Sequence, residues 1–270
     1  MSTHLVWFRS DLRTLDNPAL YAAAAEGHVT ALFLLTPEQW RLHGIAAKKI
    51  AFLLRSIDTL SATLATLGIE SRIICGSTFS DAAEHVVAVA KDIGASNVFW
   101  NNEIALDEQR RDASVEKALN AQGIGVRRCE AATSMPVGSV RKPDGTPYSV
   151  FTPYKKRWIS LRIDQSIQIL PVPRPQGSAV AASTAPQIID GIAKTAGADT
   201  WPAGEANALT LLDTFLDRAI EGYATHRDLP SLSGTSKLSP HLAAGTVSAN
   251  HCLLAAYERN QSRLVGGNDS

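Results

Sequence analysis

Neither sign of charge dominates this sequence, and no stretch of it is apolar enough to leave water. Its 26 lysines and arginines are matched by 26 aspartates and glutamates. Residues 1–150 hold 15 basic and 16 acidic groups, and residues 151–270 hold 11 and 10. Neither half therefore has the Lys/Arg-rich footprint of a basic nucleic-acid-binding module. No run approaches the roughly 20 apolar residues of a membrane span. Arg9, Asp11 and Arg13 interrupt the N-terminus, so it lacks the basic-then-apolar order of a secretory leader. The expected location is the cytoplasm, with no membrane partner. Cysteine is sparse: Cys75, Cys129 and Cys252 are odd in number and far apart, which argues against a disulfide framework or a metal knuckle. They are expected as buried structural thiols. Seven histidines (His4, His28, His43, His85, His226, His241, His251) are scattered without a ligand pair at helical spacing, so no metal is expected. There is no G-x-S-x-G elbow, and no residue argues for nucleophilic catalysis.

What is present is an alternation. Short apolar runs at His4–Phe8, Val29–Leu35, Ser71–Cys75, Asn97–Trp100 and Val126–Cys129 read as buried strands. Between them, Pro18–Glu26, Ala46–Leu67, Ser80–Ile93 and Glu108–Gln122 have helical periodicity. Gly27, Gly68, Gly94 and Gly123 stand where helix C-caps fall. Ser80 before Asp81 and Glu84 reads as an N-cap with an acidic first turn. Strand–helix alternation at this spacing predicts a doubly wound α/β fold, a parallel five-stranded sheet with helices on both faces. Yet the first strand is followed by Arg9-Ser10-Asp11-Leu12-Arg13, with neither G-x-G-x-x-G nor a Walker lysine. A standard nucleotide site at that turn is excluded.

Residues 1–132 are expected as the α/β domain and residues 133–203 as a connecting segment. Within the latter, Leu170–Ala203 is rich in Pro, Ala, Ser, Gly and Thr and reads as a linker with few apolar anchors. Residues 204–270 read as helical: Ala206–Tyr223, Pro240–Ala244 and Ser248–Arg259, with no strand candidate. About 65 residues do not readily bury a core alone, so this segment either docks on the first domain or begins a larger helical one.

Several groups stand out chemically. Arg9, Asp11, Arg13 and Asp16 form a charged loop after the first strand, at the sheet edge where α/β proteins build sites; local ion pairing that shapes the turn is the favoured explanation for them. Asp107 and Glu108 read as first-turn acids favoured by the helix dipole. Ser239-Pro240 reads as N-cap and first helical residue. With Thr235, Ser236 and Lys237 before it, this helix start offers N–H groups, hydroxyls and one charge to a phosphate, or is an ordinary capped helix. Arg227 follows Tyr223 by four and shares its face if the helix continues. Lys155, Lys156 and Arg157 make the densest basic cluster, and a solvated helix face accounts for it.

Three blocks, His4–Asn17, Tyr148–Trp158, and Tyr223–Pro230 followed by Gly234–Gly245, together resemble the cryptochrome/DNA photolyase family, class I pyrimidine-dimer photolyases in particular. The resemblance runs through the whole chain and matches the N-terminal portion of that family, implying a Rossmann-like antenna domain, a linker and the start of an all-α FAD-binding domain. It implies light-dependent repair of cyclobutane pyrimidine dimers, in which reduced FAD passes one electron to a flipped-out dimer. It assigns FAD contacts to Tyr223, Thr235, Ser236, Lys237, Leu238 and Ser239, a DNA phosphate beside the lesion to Arg227, and an antenna contact to Glu108. The antenna is often 5,10-methenyltetrahydrofolate; Asp107 stands where folate-binding relatives have asparagine, and Lys237 where many have arginine. The implied partner is damaged DNA, bound by a monomer. All five tryptophans precede the last helices, and the family's relay tryptophans and lesion pocket have no match. No catalytic residue is assigned, and the 270 residues alone are expected to be inactive. A repair-deficient cryptochrome photoreceptor, or an unrelated α/β nucleotide-binding protein, would share parts of this pattern.

Overall fold

The computed structural model describes residues 2–163 and 166–264. The chain runs β1 (Ser2–Phe8), α1 (Pro18–Glu26), β2 (Gly27–Leu35), α2 (Pro37–Leu42), α3 (Ala47–Thr66) and β3 (Glu70–Cys75). A 3-10 turn (Phe79–Asp81) precedes α4 (Ala82–Asp92), β4 (Asn97–Asn101), α5 (Leu106–Asn120) and β5 (Gly125–Cys129). There follow α6 (Phe151–Ile163), β6 (Ile188–Ile189), β7 (Ile192–Ala193), α7 (Glu205–Arg218), α8 (Tyr223–His226), α9 (Ser239–Ala244) and α10 (Ala249–Arg259).

The five expected strands form one parallel sheet in the order β3-β2-β1-β4-β5. The inner strands β1, β2 and β4 hold buried apolar runs because both faces are covered there; the edge strands β3 and β5, expected as buried, carry exposed Glu70, Arg127 and Arg128. The period of two sorts them. Val6 and Phe8 point to one face, where Phe33, Leu54 and Leu64 meet them from β2 and α3. Leu5 and Trp7 point to the other, against Val86 of α4, Val115 and Leu119 of α5 and Trp100 of β4. All of these are at most 2% exposed. The register sets Phe8 opposite Phe33, and their rings stack at 5.4 Å. Each such side chain contributes about 1.5–3 kcal/mol.

Helix ends only partly follow expectation. Gly68, Gly94 and Gly123 take the left-handed conformation at φ 75°, 64° and 72°. Gly27 does not: its φ of 173° is extended, because the chain passes straight into β2. Ser80 is not the cap of α4; Thr78 caps the 3-10 turn, its hydroxyl accepting from the Ser80 N–H, and Asp81 precedes α4 without a side-chain cap bond. Ser239 is the first helical residue rather than a cap, with Leu238 before it already helical in ψ. Cys75 is exposed, and Cys129 and Cys252 are only half-buried, so the expectation of three buried thiols fails; Cys75 lies on the edge strand β3.

The proline-rich stretch is not a free linker. Ala185 and Ile189 enter the core against α3, and Ala203 is buried as well. The short antiparallel pair β6–β7 lies within it. Gln176 reads Val29 on both sides: its Oε1 accepts from Val29 N–H at 2.8 Å and its Nε2 donates to Val29 C=O at 2.7 Å. Lys194, 8% exposed at its side chain, pairs with Asp58 of α3. These partners are 136 and 147 residues apart in sequence, which composition cannot register.

Candidate functional site

The chain builds β1, β2 and β3 outward in one direction, then returns to place β4 on the other side of β1. The strand order reverses between β1 and β4, and in open α/β sheets a crevice opens there at the carboxyl ends. A crevice of about 260 Å³ is found at that point, lined by Ser10, Asp11, Arg13, Asn101 and Glu103 and, from α9, by Leu242. Its floor is fixed by hydrogen bonds. The Asn101 amide donates to Asp11 Oδ2 at 2.6 Å and to Asn17 Oδ1 at 2.8 Å. Asn17 in turn caps α1, accepting from Leu20 N–H.

Beside the crevice lies a buried ion network. Asp112, fully buried, accepts from Arg9 at 3.0 Å and from Arg111 at 2.7 Å. Arg111 also holds Glu103 at 2.6 Å, and the Ser10 hydroxyl donates to Glu103 at 2.5 Å. Both guanidinium groups lie over the Trp7 ring, at 4.4 and 4.8 Å. Burial opposes ionisation of Glu103, but Arg9, Arg111 and the Ser10 hydroxyl outweigh it and hold the carboxyl below its ordinary range. Arg111 is likewise opposed by burial but held high by Glu103 and Asp112.

The Arg9–Asp16 loop is therefore more than a locally paired turn. Arg9 pairs with residues 92 and 103 positions away. Arg13, 3% exposed, donates to Asp16 C=O at 2.8 Å and to Gly245 C=O at 3.1 Å. Leu12 N–H donates to Ala244 C=O at 3.1 Å. Glu205, the first residue of α7, receives Thr14 N–H and Leu15 N–H at 2.9 and 2.8 Å. The first and third sequence blocks thus meet. At the contact Gly245 is left-handed (φ 68°), and an added Cβ would lie 2.5 Å from Asp11 Cα.

The third block is assembled by another glycine. Gly234 lies so close to α8 that a Cβ there would sit 2.9 Å from the His226 carbonyl carbon. This packs the 235–239 segment beside the helix that carries Tyr223. Lys237 takes φ 53°, a left-handed conformation that costs a residue with a Cβ about 1–2 kcal/mol. Thr235, Lys237 and Ser239 are exposed, Ser236 is half-buried and Leu238 is buried. Ser236 Oγ accepts from Leu238 N–H at 3.4 Å, which leaves its own O–H free to donate. Among the described residues the Thr235, Lys237 and Ser239 side chains have no partner in the chain. Tyr223 is 39% exposed and packs edge-on against Phe215. The Arg227 guanidinium lies 5.8 Å from the Tyr223 ring centre, so the two share a face as their spacing requires; Arg227 also pairs with Asp228 at 3.6 Å.

Glu108 is half-buried in the first turn of α5. It does not line the crevice at β1 and β4. Asp107 beside it pairs with Arg110 at 3.2 Å and approaches His43 at 3.9 Å. Sequence reasoning missed Asn101, Glu103, Asp112 and Glu205. The only signal for Asn101 is a polar residue closing an apolar strand; the others resemble ordinary helical or loop acids. Among the described residues no cluster of three metal-ligating side chains occurs, and no helix is long and apolar enough to cross a membrane.

A doubly wound sheet, a crevice where its strand order reverses, and a helical segment pinned across that crevice define the class of architecture. The chain belongs to the DNA photolyase family: the family model described as "DNA photolyase" matches residues 4–176. It is 32% identical over 270 residues to a deoxyribodipyrimidine photo-lyase of Salmonella typhimurium, covering 99% of this chain and 57% of that protein. It is 31% identical over 249 residues to cryptochrome-1 of Arabidopsis thaliana, covering 90% of this chain and 36% of that protein. The crystal structure of a bacterial class III photolyase from Agrobacterium tumefaciens superposes with a TM-score of 0.80 at 28% identity, over 100% of this chain and 55% of that one. The chain thus spans a little over half the length of these photolyases.

Proposed function

We propose that this chain serves light-dependent repair of cyclobutane pyrimidine dimers in DNA, working through reduced FAD with an antenna chromophore in the α/β region. The observation that carries the reading is the close approach of Gly234 to His226. It sets donors that lack a partner among the described residues beside the helix of Tyr223, which Arg227 caps. The donor set fits a diphosphate: one ammonium, three hydroxyls and backbone N–H groups, with no carboxylate among residues 233–245. Lys237, the hydroxyls of Thr235, Ser236 and Ser239 and the backbone at Leu238 would hold the FAD diphosphate, and Tyr223 would lie against the cofactor. Bound reduced FAD supplies one-electron donor chemistry that no side chain here can supply.

The protein's part is position. Lys237 offers a point charge, not the two parallel N–H bonds of an arginine. Arg227, 54% exposed at its side chain and paired among the described residues with an 82% exposed Asp228, gives up little to meet a DNA phosphate beside the dimer. Glu108 would accept N–H bonds from a pterin-like antenna such as 5,10-methenyltetrahydrofolate. Residues 1–132 would form the antenna domain, 133–203 the connection and 204–270 part of the FAD domain, in a cytoplasmic monomer. These roles belong to a polypeptide of the relatives' length; the 270 residues alone are expected to leave dimers unrepaired. A repair-deficient blue-light receptor is the second reading, favoured by the likeness to cryptochrome-1.

The test extends the chain to the relatives' length, records its visible spectrum and illuminates it with dimer-containing DNA. A flavin band with light-dependent dimer loss supports repair. Flavin without dimer loss supports the receptor reading, and failure to bind FAD overturns the role given to residues 235–239.

A further inference from the structure

Guanidinium groups and aromatic rings alternate through the interior beside the crevice. Arg111 lies 4.7 Å from the Phe79 ring centre and 4.8 Å from that of Trp7. Arg9 lies 4.4 Å from the Trp7 ring and 5.8 Å from that of Trp100. The two indoles meet edge to face at 5.8 Å and are at most 1% exposed. Asp112 and Glu103 take the N–H bonds at the guanidinium edges, which leaves the flat faces to the rings. Two cations therefore lie against Trp7 and one against Trp100, in an interior where charge is weakly screened.

Neither indole N–H has an acceptor among the described residues. An indole that gives up an electron becomes a radical cation, and it settles as an oxidised centre by passing its N–H proton to a base. Here the new positive charge would form beside one or two guanidinium groups, and no oxygen or nitrogen stands ready to take the proton. The two features are independent, and both oppose the same event.

We infer that Arg9 and Arg111 hold Trp7 and Trp100 against one-electron oxidation and so keep light-driven electron transfer out of the α/β sheet. The purpose rests on the flavin reading given above: an oxidised Trp7 or Trp100 would take the electron meant for the dimer. The property itself needs no bound flavin. Neither arginine touches a reacting atom; each acts by tuning a neighbouring ring. The placement is unequal, since Arg9 meets both indoles and Arg111 meets only Trp7 of the two.

The test treats the 270-residue chain with hexachloroiridate(IV), a one-electron oxidant that acts in the dark. Two hexachloroiridate ions each take one electron from an indole, water supplies an oxygen atom, and two protons leave; peptide mass spectrometry locates the oxygen. In the parent, half-buried Trp40 and Trp201 should be converted first, and Trp7 and Trp100 last. Arg111→Met combined with Glu103→Gln removes one cation and one anion and leaves Arg9 paired with Asp112. It should speed oxidation of Trp7 about tenfold, the scale of one desolvated cation–ring contact, with a smaller change at Trp100. Glu103→Gln alone keeps both cations, and Trp7 should stay slow. Val115→Ala loosens the same apolar cluster without touching a charge, and Trp7 should stay slow there too. Near-ultraviolet circular dichroism checks that each variant is folded. Should the double variant unfold, Arg111→Lys keeps a charge for Asp112 and Glu103 but gives up the flat face laid on Trp7, and it should speed Trp7 oxidation severalfold. Parent Trp7 that reacts as fast as Trp40, folded arginine variants that react no faster than the parent, or an equal acceleration in Val115→Ala overturns the inference. Protection of Trp7 in a protein that, at the relatives' length, binds no FAD would leave the tuning intact and remove the flavin reading.

Discussion

The α/β region and the helical segment after residue 204 are held together by different means. In the first, side chains from the two faces of one sheet bury themselves against four helices, and the largest of them are under 2% exposed. In the second, α7 buries Ala208, Leu212 and Leu216, but no residue of α10 is buried. What fixes the segment is a set of polar staples to the sheet's carboxyl edge: Arg13 to Gly245, Leu12 to Ala244, and Thr14 and Leu15 to Glu205. A small apolar patch of Phe52, Ala203 and Ala244, with Trp201 against it, supports them. The sheet region is thus organised by packing, whereas the helical segment is oriented by hydrogen bonds to a neighbour.

That contrast can be broken most forcefully at Asp112. Asp112→Asn leaves Arg9 and Arg111 buried and underpaired, and should cost about 3–5 kcal/mol in urea unfolding. Next come matched truncations. Leu54→Ala in the α/β core should cost about 3–5 kcal/mol, and Leu216→Ala, 8% exposed among Ala208, Leu212, Leu238 and Val247, about 2 kcal/mol; equal losses would erase the distinction. Arg13→Met should cost about 2 kcal/mol through the carbonyls it abandons. Its signature is local: amides of α7 and α9 should exchange faster while those of β1 and β4 stay protected. Uniform loss of protection would mean the two regions unfold as one.

The smallest effect is the dependence on pH, and it separates the regions by window. Burial lowers the pKa of His241 from its ordinary 6.5. This residue lies edge-on to Phe52 at 5.1 Å and bonds Thr246 at 2.8 Å. The unfolded chain binds that proton more readily, so stability is full above pH 6.5 and declines below it. Glu103 has a folded pKa below its ordinary 4.5, so its contribution is full above pH 4.5 and is lost as pH falls through the lower folded value. Mild acid should therefore loosen α9 before it reaches the Arg9–Glu103 network. His241→Gln should flatten the first slope and Glu103→Gln the second, read from urea midpoints across pH.

Much of the sheet was legible because period and burial coincide. Each expected strand lies inside an observed one, and α1 matches at both ends. Tyr223 and Arg227 could be paired from their spacing alone. Most of the misses share one cause, separation along the chain. Asp11, Arg13 and Asp16 looked like a self-contained turn because their partners, Asn101 and Gly245, lie 90 and 232 residues away. Lys194 looked like a linker lysine because nothing near it in sequence points to Asp58. Ser239 failed as a cap for a local reason: Leu238 before it is already helical, so the serine falls inside the first turn.

The bonds made by Gln176 bear on anyone who wishes to divide or extend this protein. A side chain that reads both polar groups of Val29 acts as one more rung beside the sheet, and Ser183 adds another by donating to Ser71 C=O. The proline-rich stretch is a strap with a fixed length, and its composition is a misleading guide to where scissors belong. A tag, a protease site or a circular permutation would be better tolerated at the exposed turn around Gly145, where, among the described residues, the chain bonds to itself over a few residues.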